Sequence, residues 1–135
     1  MTLTVDIEPR AHYLYAAVSG EFSVLGAQAA FDRALQAALP LAQTRILIDV
    51  RHVSGRPSQD ERYALGLFVA AEQRLFAAKT AFATRVAVLG KRPLVDPNRF
   101  GETVAINSGA KVKVSESLDE AFAWLGVGAS LSAAG

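Results

Sequence analysis

Residues 45–50 read Arg45-Ile46-Leu47-Ile48-Asp49-Val50, a nearly continuous apolar run. Such runs form strands buried on both faces, the kind found in parallel sheets flanked by helices. Arg85-Val86-Ala87-Val88-Leu89 repeats the pattern downstream. Between the two lies a helix capped by Ser58 and running to about Lys79. Leu65, Phe68, Leu75 and Phe76 supply much of its apolar stripe, and Asp60 and Glu61 suit the positive end of its dipole. Before residue 45, Ser23 caps a helix to about Leu39, with Val24, Phe31 and Leu35 at helical spacing and Pro40 as its stop. After residue 89, Asp96-Pro97 pairs an N-cap with a proline in the first helical position. The helix it predicts carries Phe100 and Val104 and ends at Asn107-Ser108-Gly109, where glycine supplies the left-handed residue. Lys111-Val112-Lys113-Val114 alternates as an edge strand does, and Ser117-Leu118-Asp119-Glu120 reads as the capping box of a last helix through Trp124 and Leu125.

Upstream of this block the period changes to two. Leu3, Val5 and Ile7 alternate with polar residues, Glu8-Pro9-Arg10-Ala11 turns the chain, and Leu14, Ala16 and Val18 alternate again until Gly20. The order is therefore β-β-α-β-α-β-α-β-α. It predicts an α/β domain with a mixed five-stranded sheet: an N-terminal antiparallel hairpin, then parallel units joined by right-handed crossovers. Thr2, Thr4, Asp6, Tyr13, Tyr15, Lys111 and Lys113 fall opposite the apolar positions. Helices are accordingly expected mainly on one face, with part of the other open. An open face bearing two tyrosines is either simply solvated or a homodimer surface, and the enrichment of aromatics at interfaces favours the second. The domain is expected to span 1–126, with 127–135 a flexible tail of small residues.

Composition excludes several classes. With 135 residues, 51% of them hydrophobic and 20% charged, the chain can bury a core. Fourteen basic against 13 acidic residues leave a net charge of +1, too balanced for a nucleic-acid-coating protein. Cysteine is absent, which removes disulfides, thiolate nucleophiles and cysteine-ligated metals, and the only histidines are His12 and His52. No metal or other cofactor is implied. The N-terminus lacks a signal-peptide layout, and the weakly charged stretch 64–71 is far shorter than the roughly 20 residues needed to cross a bilayer. A cytoplasmic protein with no integral membrane association is the expectation.

The hairpin, the strand Ile46-Leu47-Ile48-Asp49-Val50 with its following loop, and the closing Leu118-Asp119-Glu120-Ala121-Phe122-Ala123-Trp124-Leu125 together resemble the SpoIIAA-like family of STAS domains, relatives of the anti-sigma-factor antagonists. The resemblance spans roughly residues 3 to 125. It implies a non-enzymatic binding or regulatory module acting through a protein partner; related lipid-carrier folds imply, as the alternative, a small-molecule or lipid ligand with an anionic headgroup. It also implies a phosphorylated serine at the start of the helix after the third strand, within an Asp-Ser-Ser-Gly type sequence. Ser58 stands there within Arg56-Pro57-Ser58-Gln59-Asp60, without the preceding aspartate and the following glycine. The favoured reading of Ser58 is therefore a plain N-cap: a phosphate there would suit the helix N-terminus, but Asp60 and Glu61 would oppose it.

The loops beyond the carboxyl ends of parallel strands are where such sheets place ligands. Here they bring Arg51, His52, Arg56, Lys91, Arg92 and Arg99 near two helix N-termini, a combination suited to an anion, although loops also carry charges for solvation and Asp49 and Asp96 can neutralise their neighbours. Asp49, His52 and Ser58 supply the residue types of a catalytic triad, but no Gly-x-Ser-x-Gly elbow frames the serine and no glycine-rich phosphate loop exists, so an enzyme is not expected. Tyr63, Leu67, Phe68, Phe100 and Val104 are candidates for an apolar groove or interface; the core claims most such residues, and exposure of Tyr63 or Leu67 would mark a surplus available to a partner.

Overall fold

The computed structural model describes residues 3–80 and 83–127. Its elements are β1 (Thr4–Pro9), β2 (Leu14–Glu21), α1 (Val24–Ala38), β3 (Arg45–Ser54), α2 (Gln59–Thr80), β4 (Arg85–Leu89), α3 (Phe100–Asn107), β5 (Val112–Ser115) and α4 (Leu118–Leu125). The strands lie in the order β1-β2-β3-β4-β5. β1 is antiparallel to β2, and β2 to β5 run parallel. The mixed five-stranded α/β sheet expected from the sequence is the one observed.

This order dictates the layering. Each crossover from β2 onward steps the same way across the sheet, so right-handedness places α1, α2 and α3 on one face. On that face Ile7, Ala16, Ile48, Val88 and Val114 are consecutive partners across the five strands. They pack with Phe31, Leu35, Ala70, Phe76 and Ala105 of the three helices in the main core, or line the cavity beside it. Only α4, which follows the last strand, is free to cross to the reverse side. There Ala121, Phe122 and Leu125 pack on Leu47, Ala87, Leu89 and Tyr13.

The covering by α4 changes one expectation. Tyr13 lies on the predicted face but is only 3% exposed, its ring tilted against Phe122 at 5.5 Å between centroids. Tyr15 is half-buried, with the Arg10 guanidinium 5.1 Å over its ring. One of the two tyrosines that suggested a dimer surface is thus sealed within the fold. Val127, read from sequence as the first tail residue, also packs in this second core; residues 128–135 lie outside the described residues.

Local chemistry accounts for most boundaries. Ser23 Oγ accepts from the Gly26 amide at 3.0 Å and starts α1. At α2, Ser58 Oγ accepts from the Glu61 amide at 3.1 Å while the Glu61 carboxylate accepts from the Ser58 amide at 2.8 Å, a reciprocal capping box. Two boundaries and one cap differ from the sequence reading. β3 runs to Ser54, so Arg51 and His52 lie on the strand and not in a loop. The helix predicted from Asp96-Pro97 begins at Phe100, because the Asp96 carboxylate accepts from the Asn98 and Phe100 amides and closes a turn first. At α4, Ser117 Oγ accepts from the Glu120 amide as expected, but the Glu120 carboxylate accepts from the buried Ser115 hydroxyl instead of the Ser117 amide.

Candidate functional site

The parallel strands all end at one edge, and the residues that follow them frame two neighbouring concavities. The first is an apolar cavity of about 220 Å³ between the sheet and α1–α3. Val18, Ile48 and Val88 form its floor, and the small residues Ala30, Gly66 and Ala105 line its helical side. Those small residues let the helices approach one another closely while withholding the side-chain volume that would fill the space beneath. Phe68, a candidate from the sequence, lines this cavity and meets Phe31 edge-on at 6.4 Å.

Four charged side chains also border the cavity: Arg62, Asp96, Arg99 and Glu102. Arg62 donates to the carbonyls of Leu94 at 2.8 Å and Pro93 at 3.0 Å, pinning the loop after β4 to α2. The Glu102 carboxylate accepts from the Val114 amide at 2.6 Å on the sheet's edge strand. The Asp96 carboxyl is held below its usual range, first by the Phe100 amide and then by the Asn98 amide, with burial opposing.

The second concavity, about 300 Å³, has a mixed polar and apolar lining and lies between the loop after β4 and the start of α4. Arg92, Arg99, Ser115, Glu116, Ser117 and Glu120 line it. Of the six candidates for an anion site, this cleft gathers Arg92 and Arg99. Arg92 pairs with Glu116 at 3.3 Å, and Arg99 lies 3.8 Å from both Glu102 and Glu120. The Ser115 hydroxyl, followed by the nearby Lys113 charge, holds the Glu120 carboxyl below its usual range. His52, Arg56 and Lys91 are exposed and border neither concavity.

Arg51 sits on the reverse face of the sheet. Its Nε and Nη2 donate to Asp49 Oδ1 and Oδ2 at 3.0 and 2.7 Å, and its amide donates to Oδ1 at 3.0 Å. The Tyr15 hydroxyl completes the shell of this 3%-exposed carboxylate at 2.6 Å. Burial pulls the Asp49 pKa up, yet the Arg51 guanidinium and the Tyr15 hydroxyl outweigh it and hold the carboxyl below its usual range. Asp49 therefore neutralises Arg51 and does not orient His52, while Ser58 Oγ faces the Glu61 amide. The three triad residue types are not assembled.

Tyr63 and Leu67 are 51% and 41% exposed, one turn apart on α2 and just beyond Ser58. The core does not take them, because α3 closes on their neighbour Gly66: a methyl there would lie 2.7 Å from the Gly101 carbonyl and 2.9 Å from Val104 Cβ. Phe100 and Val104 are half-buried in α3. The sequence reading also passed over Gln73, a buried amide that donates to the Thr84 and Lys111 carbonyls and accepts from the Lys111 amide at 2.9 Å, tying α2 to the starts of β4 and β5. A glutamine among α2's apolar positions was the available signal. Among the described residues no group of three or more His, Cys, Asp or Glu is placed to hold a metal ion, and no helix is long and apolar enough to cross a membrane.

Neither a protein-family model nor a curated protein matches the chain. Solved structures do. An anti-sigma factor antagonist from Mycobacterium paratuberculosis superposes with a TM-score of 0.56 at 19% identity, over 92% of this chain and 94% of that one. An uncharacterized protein of the DUF3478 family with a SpoIIAA-like fold, from Shewanella loihica, superposes with a TM-score of 0.48 at 20% identity, over 92% and 93% of the two chains. With its mixed five-stranded α/β sheet, the chain thus shares the fold of the anti-sigma factor antagonist over nearly its whole length.

Proposed function

We propose that this domain is a non-enzymatic regulatory module that docks a partner protein on the exposed shoulder of α2. The observation that carries this reading is the pair Tyr63 and Leu67, exposed one turn apart directly after Ser58. Aromatic and aliphatic anchors of this kind are what interface cores use. Ser58 is the switch. Its hydroxyl is in an exposed residue, and a phosphate there would compete with the Glu61 carboxylate for the helix N-terminus and repel Asp60. The antagonist that shares the fold supports a regulatory role.

The test uses immobilised wild-type protein, the double variant Tyr63→Ser/Leu67→Ser and Ser58→Glu, each exposed to lysate of the producing cell and read by quantitative mass spectrometry. Wild type retains a partner that the double variant loses while its circular dichroism and unfolding stay unchanged. Equal retention by all three proteins would remove the docking surface from consideration. A second reading, a small-molecule binder, is favoured by the 220 Å³ apolar cavity.

A further inference from the structure

We infer that the cavity between the sheet and α1–α3 takes a small neutral apolar molecule, a single aromatic ring or a short alkyl chain, and not an anion. This rests on the second reading above and names its ligand class; the docking surface on α2 stands or falls separately.

Size is the first argument. An apolar cavity of about 150 Å³ accepts benzene or xenon. At about 220 Å³ the present one suits a substituted ring or a short chain, and falls below the roughly 300–1,000 Å³ of pockets for drug-sized ligands. Its lining is the second. Val18, Ile48, Val88, Ala30, Gly66 and Ala105 offer a water molecule no side-chain hydrogen-bond partner, so an apolar guest is preferred over water.

Charge is the third argument, and it sets the ligand class. The bordering charged groups are two of each sign, and each is already engaged. Arg62 is held by two carbonyls, Asp96 by two amides, Glu102 by the Val114 amide, and Arg99 lies 3.8 Å from the Glu102 carboxylate. Among the described residues both cations at this border already face acceptors or carboxylates: Arg62 donates to two carbonyls with its charge acting on Asp96, and Arg99 lies near Glu102 and Glu120. An anion entering here would give up its hydration without gaining a free counter-charge. Arg92 and Lys91, the basic residues of the same loop, do not line the cavity.

The test measures methyl chemical shifts of the full chain, by ¹H–¹³C NMR, during titration with 1-hexanol, indole and sodium hexanoate. The neutral probes should shift Val18, Ile48 and Val88 saturably, with hexanoate weaker than hexanol by at least about tenfold. Ala105→Leu should abolish the shifts by filling the site. Ala27→Leu, on the α1 side of the cavity, does the same and serves where Ala105→Leu fails to fold. Hexanoate binding as tightly as hexanol overturns the neutral-ligand inference and leaves the small-molecule reading in place. Saturable binding of none of the three probes overturns both. Unchanged affinity in the filling variants places the ligand elsewhere and overturns the inference.

Discussion

Replacing Gly66 by alanine sets two opposed effects against each other. In a helix interior alanine is favoured over glycine by about 1 kcal/mol. Against this, the new methyl would lie 2.7 Å from the Gly101 carbonyl oxygen and 2.9 Å from Val104 Cβ and Cγ1. Optimal carbon contacts are about 3.5–4.0 Å, so α2 and α3 must part by about 0.5–1 Å. The nearest atom belongs to backbone and has no rotamer in which to escape. Overpacking costs about 1–3 kcal/mol, and a contact with backbone that cannot rotate away falls in the upper part of that range, about 2–3 kcal/mol. The balance is a net loss of about 1–2 kcal/mol, or a melting temperature lower by about 3–8 °C. Gly101→Ala is the matched control. Its methyl would meet the Arg62 carbonyl at 3.3 Å and Arg62 Cβ at 3.6 Å, which a small shift relieves, so its stability should stay within about 0.5 kcal/mol of wild type. Urea unfolding followed by circular dichroism and by the single tryptophan, Trp124 on the far face of the sheet, reads both variants. If Gly66→Ala unfolds at or above the wild-type midpoint while Gly101→Ala does not differ, the close approach of α2 and α3 is refuted, and with it the reason Tyr63 and Leu67 face outward.

Further predictions concern charge and capping. Asp49→Asn should cost about 1–3 kcal/mol at pH 7, since it strips a buried acceptor from Arg51 and Tyr15. Because folding lowers this carboxyl below its usual value of about 3.9, its contribution is present above that pH and is lost as pH falls from there through the folded value. Wild type and Asp49→Asn should therefore converge in acid, and a constant gap between them would contradict the assignment. Glu72 behaves in the opposite sense: burial first, then hydrogen bonding and charge from Asp32, raise its pKa above 4.5 against a weaker pull from Lys79. Glu72→Gln should stabilise the protein at pH 7 by a few tenths to about 1 kcal/mol and lose that gain below about pH 4.5, as paired urea titrations would show. Ser58→Ala removes the α2 cap and should cost about 1 kcal/mol in the same assay.

The elements of this fold were legible in sequence because each advertises itself through a local period. Period two marks β1 and β2, short apolar runs mark β3 and β4, and helical spacing behind Ser23, Ser58 and Ser117 marks three of the helices. Even the single dominant helical face follows from chain order, through the handedness of crossovers. Asp96-Pro97 misled by a few residues because an aspartate that caps a helix and one that closes a turn look alike until the amides it binds are known.

The site was less legible, because it depends on distances no local pattern encodes. The six candidates for an anion site, close to one edge in sequence, part company in space: alternation along β3 sends Arg51 to Asp49 on the reverse face, while Arg92 and Arg99 turn toward Glu116 and Glu120. Tyr13 and Tyr63 carry the same side chain and met opposite fates. Tyr13 is sealed because α4 returns across the reverse face onto it, and Tyr63 stays exposed in a helix whose neighbouring face α3 occupies at Gly66. Periodicity says which side of an element is apolar. What comes to lie against that side is set by the packing of distant segments, and that belongs to the tertiary structure.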